Sequence, residues 1–178
     1  MNLHDLNNLD NLDNLDNLEN IKTTWQVKHF DELSLDQLYD LLKLRIDVFV
    51  VEQTCYYPDL DSEPNQLDRH KETRHLLGYQ NNKLVAYLRI LAQGQSYEDY
   101  ISIGRVAIVE QARGSGLGHE LMNEALKLCQ QYFPKKNIKI SAQQHLTAYY
   151  QQHAFEQVSD MYLEDDIPHV AMVKNATI

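Results

Sequence analysis

Residues 113–118 read Arg-Gly-Ser-Gly-Leu-Gly, and three of the six glycines in the chain fall within five positions there. Glycine that dense is costly in backbone entropy, so chance placement explains it poorly. An apolar run from Ile101 to Val109 leads into the segment. A helical apolar spacing at Leu117, Leu121, Ala125, Leu128 and Tyr132 leads out of it. A strand delivering the chain to a helix start leaves backbone N–H groups converging at the turn, beside the positive helix end. The chemistry of such a turn is anion binding. Without Cβ atoms a diphosphate can approach the main chain closely, and Arg113 can add a direct phosphate contact.

Two other phosphate loops fail on spacing. A Walker loop requires Lys after its last Gly, where His119 stands. A dinucleotide turn requires Gly-x-Gly-x-x-Gly and an acid after the next strand. Here the glycines are spaced Gly-x-Gly-x-Gly, and Ser141-Ala142-Gln143 supplies no acid.

The elements that must hold this loop can be read along the chain. Trp25 to Phe30 alternates as a first strand. Ser34 and Gln37 form a capping-box pair ahead of Leu35, Leu38, Leu42, Ile46 and Phe49, a helix that should end near Glu52. Residues 55–70, with Pro58 and Pro64, read as an irregular loop. Strand-like runs follow at His75–Tyr79, Leu84–Leu91 and Ile101–Val109, with Asn81-Asn82 as a hairpin turn between the first two. Pro134 stops the helix after the glycine loop. Beyond it come a strand at Ile138–Ser141, a helix around Leu146–Gln152, and strands at Phe155–Leu163 and Val170–Val173. The order is that of a mixed α/β layer fold.

The loop resembles the acyl-CoA loop of the GNAT superfamily, Arg/Gln-x-x-Gly-x-Gly/Ala, at every defined position. The segment Ala148 to Phe155 resembles that family's Phe-Tyr-x-x-x-Gly-Phe helix end, with Ala154 in place of the usual glycine. A closer likeness, to the ElaA-like branch, covers most of residues 25–174. It rests on Arg45-Ile46-Asp47-Val48-Phe49-Val50-Val51-Glu52-Gln53, on Ser141-Ala142-Gln143 and on Tyr162 to His169. The resemblance implies a GNAT acyl-CoA N-acyltransferase fold: a central, mostly antiparallel sheet, splayed in the middle, with helices on both faces. It implies acetyl-CoA as acyl-donor cosubstrate, and direct transfer of the acetyl group to a primary amine. Val106, Ala107 and Ile108 would meet pantetheine. Arg113, Gly114, Ser115, Gly116, Leu117 and Gly118 would meet the diphosphate. Gly104 is consistent with an irregular strand at the cofactor.

By the same resemblance Tyr150 takes the general-acid position, with Tyr149 its competitor in register. An alkyl amine arrives protonated, so a base is also required. Glu52 leads the candidates, with His75 and His169 behind it. Glu164, Asp165 and Asp166, in the loop between the last two strands, can hold a cationic acceptor, and Arg45 can anchor an acidic group or pair with an acid in the cleft. Loops 53–70 and 92–99 are expected to shape the acceptor pocket.

Composition narrows the setting. The 178 residues suit one domain and a substantial core. Net charge is −10, and half of it sits in residues 1–20, where Asp5, Asp10, Asp13, Asp16 and Glu19 meet no Lys or Arg. That balance disfavours nucleic acid. No apolar run is long enough for a membrane span, and two cysteines without metal-type spacing suggest a reducing, cytoplasmic setting with no metal. Cys129 reads as a core thiol. The Asn-Leu-Asp repeat makes residues 1–22 a weakly ordered tail ahead of an acetyltransferase domain at 23–178. The acceptor can be a small molecule or a protein, and a homodimer is possible. Two other functions fit less of the pattern: a non-catalytic acyl-CoA sensor, which needs no acid at Tyr150, and an enzyme like the acyl-homoserine-lactone synthases, which do not keep this loop intact.

Overall fold

The computed structural model describes residues 22–61, 64 and 66–176, so the repeat tail lies outside the described residues up to position 21. Strand β1 (Thr24–Lys28) is followed by helix α1 (Leu35–Arg45), whose capping box closes as expected between Ser34 and Gln37. The helix then widens into a π-helical stretch over Ile46–Glu52, closed by Gln53 N–H donating to the Val48 carbonyl at 3.1 Å. The expected apolar stripe is rotated. Leu35 is 85% exposed and Ile46 48%, whereas Leu41, Leu44, Arg45 and Val48 are buried. Those four positions do carry helical spacing, but one of them is an arginine, which hides the face from a hydrophobic pattern.

Strands β2 (Arg74–Gln80), β3 (Lys83–Leu91) and β4 (Ser102–Ile108) complete one antiparallel sheet in the order β1-β2-β3-β4. Asn81 and Asn82, at φ 49° and 61°, make the turn predicted between β2 and β3. Helix α2 (Leu117–Tyr132) follows the glycine loop. The second sheet holds β5 (Ile138–Gln143), β8 (Ile167–Lys174) and β6 (Glu156–Gln157) in the order β5-β8-β6, with β7 (Tyr162–Glu164) also paired to β8. Helix α3 (Thr147–Gln151) lies between β5 and β6. The single strand expected over Phe155–Leu163 is broken in two. At the break the Ser159 hydroxyl, not a backbone carbonyl, accepts the Ala171 N–H at 2.8 Å, so the side chain takes over the ladder for one step.

Alternation along the strands sends residues to two cores. Leu76, Leu88, Ile90 and Ile103 pack with Leu121, Met122 and Ala125 of α2, while Leu77, Tyr87 and Ala107 pack with Leu41 and Leu44 of α1 and Val48 of the π-helical stretch. Helices therefore cover both faces. The two sheets are joined in parallel through one bridge, Ile101 to Ile138, beyond which β4 and β5 part. That is the splay the resemblance implied.

Candidate functional site

The parting of the sheets begins with a backbone fault. Tyr87 pairs with Ala107, but two residues on Arg89 pairs with Gly104, so β4 carries one extra residue there. Arg105 absorbs it at φ 54°, one position beyond the glycine that sequence pointed to. Since β4 is the last strand of its sheet, its outer edge past the bridge faces the opening. A cavity of about 260 Å³ occupies the splay, bounded by Gly104, Arg105 and Val106 of β4, by Ile140, Ser141 and Gln143 of β5, and by Tyr150 of α3. Phe49 and Gln53 from the π-helical end reach it, as do Cys55, Tyr57, Ser96 and Tyr97 from the two loops expected to shape an acceptor pocket.

Between β4 and α2 stands the glycine loop, none of whose residues lines this cavity. Gly114 and Gly116 sit at φ 78° and 87°, conformations that favour glycine, and a Cβ at either would point into open space. Gly116 is the N-cap of α2, so the first-turn N–H groups of a 16-residue helix are presented there. Gly118 lies in the first turn of α2, and its backbone needs no glycine. A Cβ there would lie 3.5 Å from Ile108, an ordinary van der Waals contact. Val106 faces the cavity, while Ala107 is buried against α1. Arg113 makes a bidentate pair with Glu52 at 2.6 and 2.7 Å and also donates to the Ile108 carbonyl at 2.9 and 2.8 Å. Its guanidinium thus pins the loop to the end of the π-helical stretch.

That pair changes the outlook for Glu52. Hydrogen bonding to Arg113 outweighs the effect of burial and holds the Glu52 carboxyl below the usual carboxylate range, the wrong direction for a proton acceptor. Glu52 does not line the cavity, and neither do Arg45, His75 or Asp166. Arg45 is fully buried, with Nε on Asp59 and Nη1 on Asp68, each at 2.8 Å. His75 is equally buried, its Nδ1 2.7 Å from the Tyr87 hydroxyl and its Nε2 2.9 Å from the Asp68 carbonyl. Arg89 adds bonds to Asp61 and Asp68 at 2.6 and 2.7 Å, and Arg105 forms an ion pair with Asp59 at 2.8 Å and donates from Nη2 to its carbonyl at 3.2 Å. Of the two expectations for Arg45, acid pairing is the one seen, with Asp59 and Asp68, though neither Arg45 nor His75 lines the cavity where an acceptor was expected to meet them. They belong to an ion network that fastens loop 53–70 beneath the cleft. Asp166 stands at the tip of the β7–β8 turn.

Five predicted residues do converge on the cavity: Val106, Tyr150, Glu164, Asp165 and His169. Tyr150 lies in the last turn of α3 and is 7% exposed. Burial, helped by Tyr149, pushes its phenol well above the usual range, and its hydroxyl has no hydrogen-bond partner among the described residues. Tyr149 points elsewhere and donates to the Gly118 carbonyl at 2.7 Å. The chain leaves α3 through N–H bonds from Ala154 to Gln151 and from Phe155 to Tyr150, with Ala154 at φ 62° where the motif carries glycine. His169 Nδ1 lies 2.8 Å from the Ile167 carbonyl, which can only accept, so the neutral ring keeps its lone pair on Nε2.

Residue-by-residue reasoning left out Ser141, Gln143, Tyr97 and Tyr162. For the two β5 residues the signal was alternation: Ile138, Ile140 and Ala142 are buried while Ser141 and Gln143 face the cleft. Cys129 is buried in the core, where desolvation pushes its thiol up to about 12. Among the described residues no helix is long and apolar enough to cross a membrane.

Known proteins share this arrangement. The description "Acetyltransferase (GNAT) domain" fits residues 46–176. Protein ElaA of Escherichia coli K12 is 44% identical over 150 residues, covering 84% of this chain and 95% of that protein. The crystal structure of Escherichia coli ElaA superposes with a TM-score of 0.79 at 42% identity, covering 86% of this chain and 100% of that one. An acyl-CoA N-acyltransferase from Pseudomonas aeruginosa, 43% identical, also has a TM-score of 0.79 and covers 86% and 99% of the two chains.

Proposed function

The chain belongs to the GNAT acetyltransferase family and is an acyltransferase, and on that premise we propose that it moves an acetyl group from acetyl-CoA to a primary amine by direct attack. One observation carries the reading: Tyr150, only 7% exposed, lines a cleft bounded by the bulged strand β4, which runs on into the helix-capping glycine loop.

The backbone N–H groups at Gly116, Leu117 and Gly118 hold the diphosphate, and the open edge of β4 at Val106 and Ile108 pairs with pantetheine. Arg113, tied to Glu52 and the Ile108 carbonyl, keeps the loop in shape. His169 takes the ammonium proton at Nε2, the position its bond to Ile167 leaves free. The neutral nitrogen attacks the thioester carbon and the carbon–sulfur bond breaks. Tyr150, kept protonated by burial, gives its proton to the departing sulfur. Glu164 and Asp165 supply negative charge at the acceptor's end of the cavity.

The test is thiol release from acetyl-CoA across a panel of primary amines, with mass detection of the acetylated product. Amine-dependent release with matching product is expected. Binding of acetyl-CoA with no turnover on any amine would instead make the protein a sensor of acyl-CoA.

A further inference from the structure

Behind the acceptor end of the cleft runs a chain of hydroxyls whose donor directions are fixed by chemistry. Ser141 Oγ bonds Glu164 Oε2 and lies 2.6 Å from the Tyr162 hydroxyl. An ionised carboxylate only accepts, so Ser141 gives its one proton to Glu164 and must accept from Tyr162. The result is a directed series, Tyr162 to Ser141 to Glu164, that holds one carboxylate oxygen. The other, Oε1, has no partner among the described residues. The Tyr162 ring also stacks on His169, with centroids 6.3 Å apart and planes 23° from parallel, while β7 and β8 pair these two residues directly. One tyrosine therefore sets both the carboxylate and the imidazole. Ser141, Glu164, His169 and Tyr150 all line the same cavity.

The charge balance of that cavity favours a cation. Its arginines, Arg89 and Arg105, are already paired with Asp59, Asp61 and Asp68, which leaves Glu164 and Asp165 as the unmatched charges on its wall.

We propose that Tyr162 and Ser141 are positioning residues that present Glu164 Oε1 to the acceptor's ammonium group beside His169, and that this docking confines the enzyme to alkyl amines, which are cationic at neutral pH, over arylamines, which are neutral. The inference rests on the amine-transfer reading above. The ammonium binds to Glu164, passes one proton to His169 Nε2, and becomes nucleophilic only there. An arylamine gains nothing from the carboxylate.

The experiment is steady-state kinetics of the full chain with saturating acetyl-CoA, comparing a primary alkyl amine with a ring-substituted aniline. Wild type is expected to prefer the alkyl amine, and Glu164→Gln to lower the alkyl-to-aryl ratio of kcat/KM about tenfold, the scale of one lost charge-assisted hydrogen bond. Ser141→Ala and Tyr162→Phe are expected to lower the same ratio by less, with the KM for acetyl-CoA unchanged in all three and the melting midpoint confirming that each is folded. An unchanged ratio in Glu164→Gln, or a wild type indifferent to amine class, overturns the proposal while leaving amine transfer intact. A wild type that acetylates neither class overturns both.

Discussion

Tyr150 and Tyr149 are adjacent in sequence and opposite in fate, which makes them a sharp test at the scale of single residues. Tyr149 commits its hydroxyl to the Gly118 carbonyl, at the first turn of α2. Tyr150 keeps its own for the cleft, and burial holds the proton on it throughout the neutral range. Tyr150→Phe is therefore expected to cut kcat about a hundredfold or more while leaving the KM for acetyl-CoA within a few-fold, the signature of a lost general acid. Tyr149→Phe is expected to leave kcat nearly untouched and to lower stability by about 1 kcal/mol, the scale of one hydrogen bond, readable by denaturant titration. Equal kcat in Tyr150→Phe and the parent removes the acid from the mechanism. Sequence register with Phe155 pointed to the tyrosine that lines the cleft, because a motif that fixes a helix end also fixes which side chains face inward. Glu52 was beyond that reach. Its pairing with Arg113 spans 61 positions and depends on how the π-helical stretch meets the glycine loop.

At the scale of elements, both motifs turn on left-handed backbone, one with glycine and one without. Gly116 caps α2 at φ 87° with open space where a Cβ would stand. Gly116→Ala therefore meets no clash, only the cost of an L-residue in that conformation, roughly 1 kcal/mol. It is expected to weaken acetyl-CoA binding as the first-turn N–H groups lose their alignment. Ala154 bears the corresponding strain already, at φ 62° in the turn that closes α3. Ala154→Gly should raise stability by about 1 kcal/mol and the melting midpoint by about 2–4 °C in a chain of this size, with Tyr150 held as before. A lowered midpoint would mean that the Ala154 methyl packs more usefully than its backbone strains. The Ser34–Gln37 capping box, the Asn81-Asn82 turn and the glycine loop were legible because each is local chemistry within a few residues. The break at Ser159 was not, and the bulge was legible only as far as Gly104, one residue short of Arg105. Either needs a partner strand to define which residue is irregular, and neither Ser159 nor Arg105 announces the role by its type.

For the molecule as a whole, two cores on either face of a parted sheet follow from alternation along β2 and β3, yet no pattern in the chain says where the sheet should part; only family resemblance did. The same applies to the polar interior. Three arginines and three aspartates beneath the cleft come from α1, loop 53–70, β3 and β4, and only the fold brings them together. Their burial makes stability depend on pH in a definite direction. His75 is depressed below its ordinary value of 6.5, chiefly by desolvation, and His153 is depressed too, chiefly by desolvation and then by His119. Asp68 is pushed up by burial but pulled further down by Arg89 and Arg45, ending below its ordinary 3.8. A group depressed on folding stabilises the native state above its unfolded pKa and loses that contribution as pH falls through its folded pKa. The melting midpoint is thus expected to hold near pH 7.5, to decline once pH drops below about 6.5 as the imidazoles are forced to charge, and to fall again near pH 4 and below as Asp68 takes a proton. His75→Gln should flatten the first decline in part, leaving the share due to His153. Melting scans from pH 8 to pH 3 in a constant ionic strength measure this directly, and a midpoint that stays level from pH 7.5 to 5 would show that neither imidazole is held neutral by the fold.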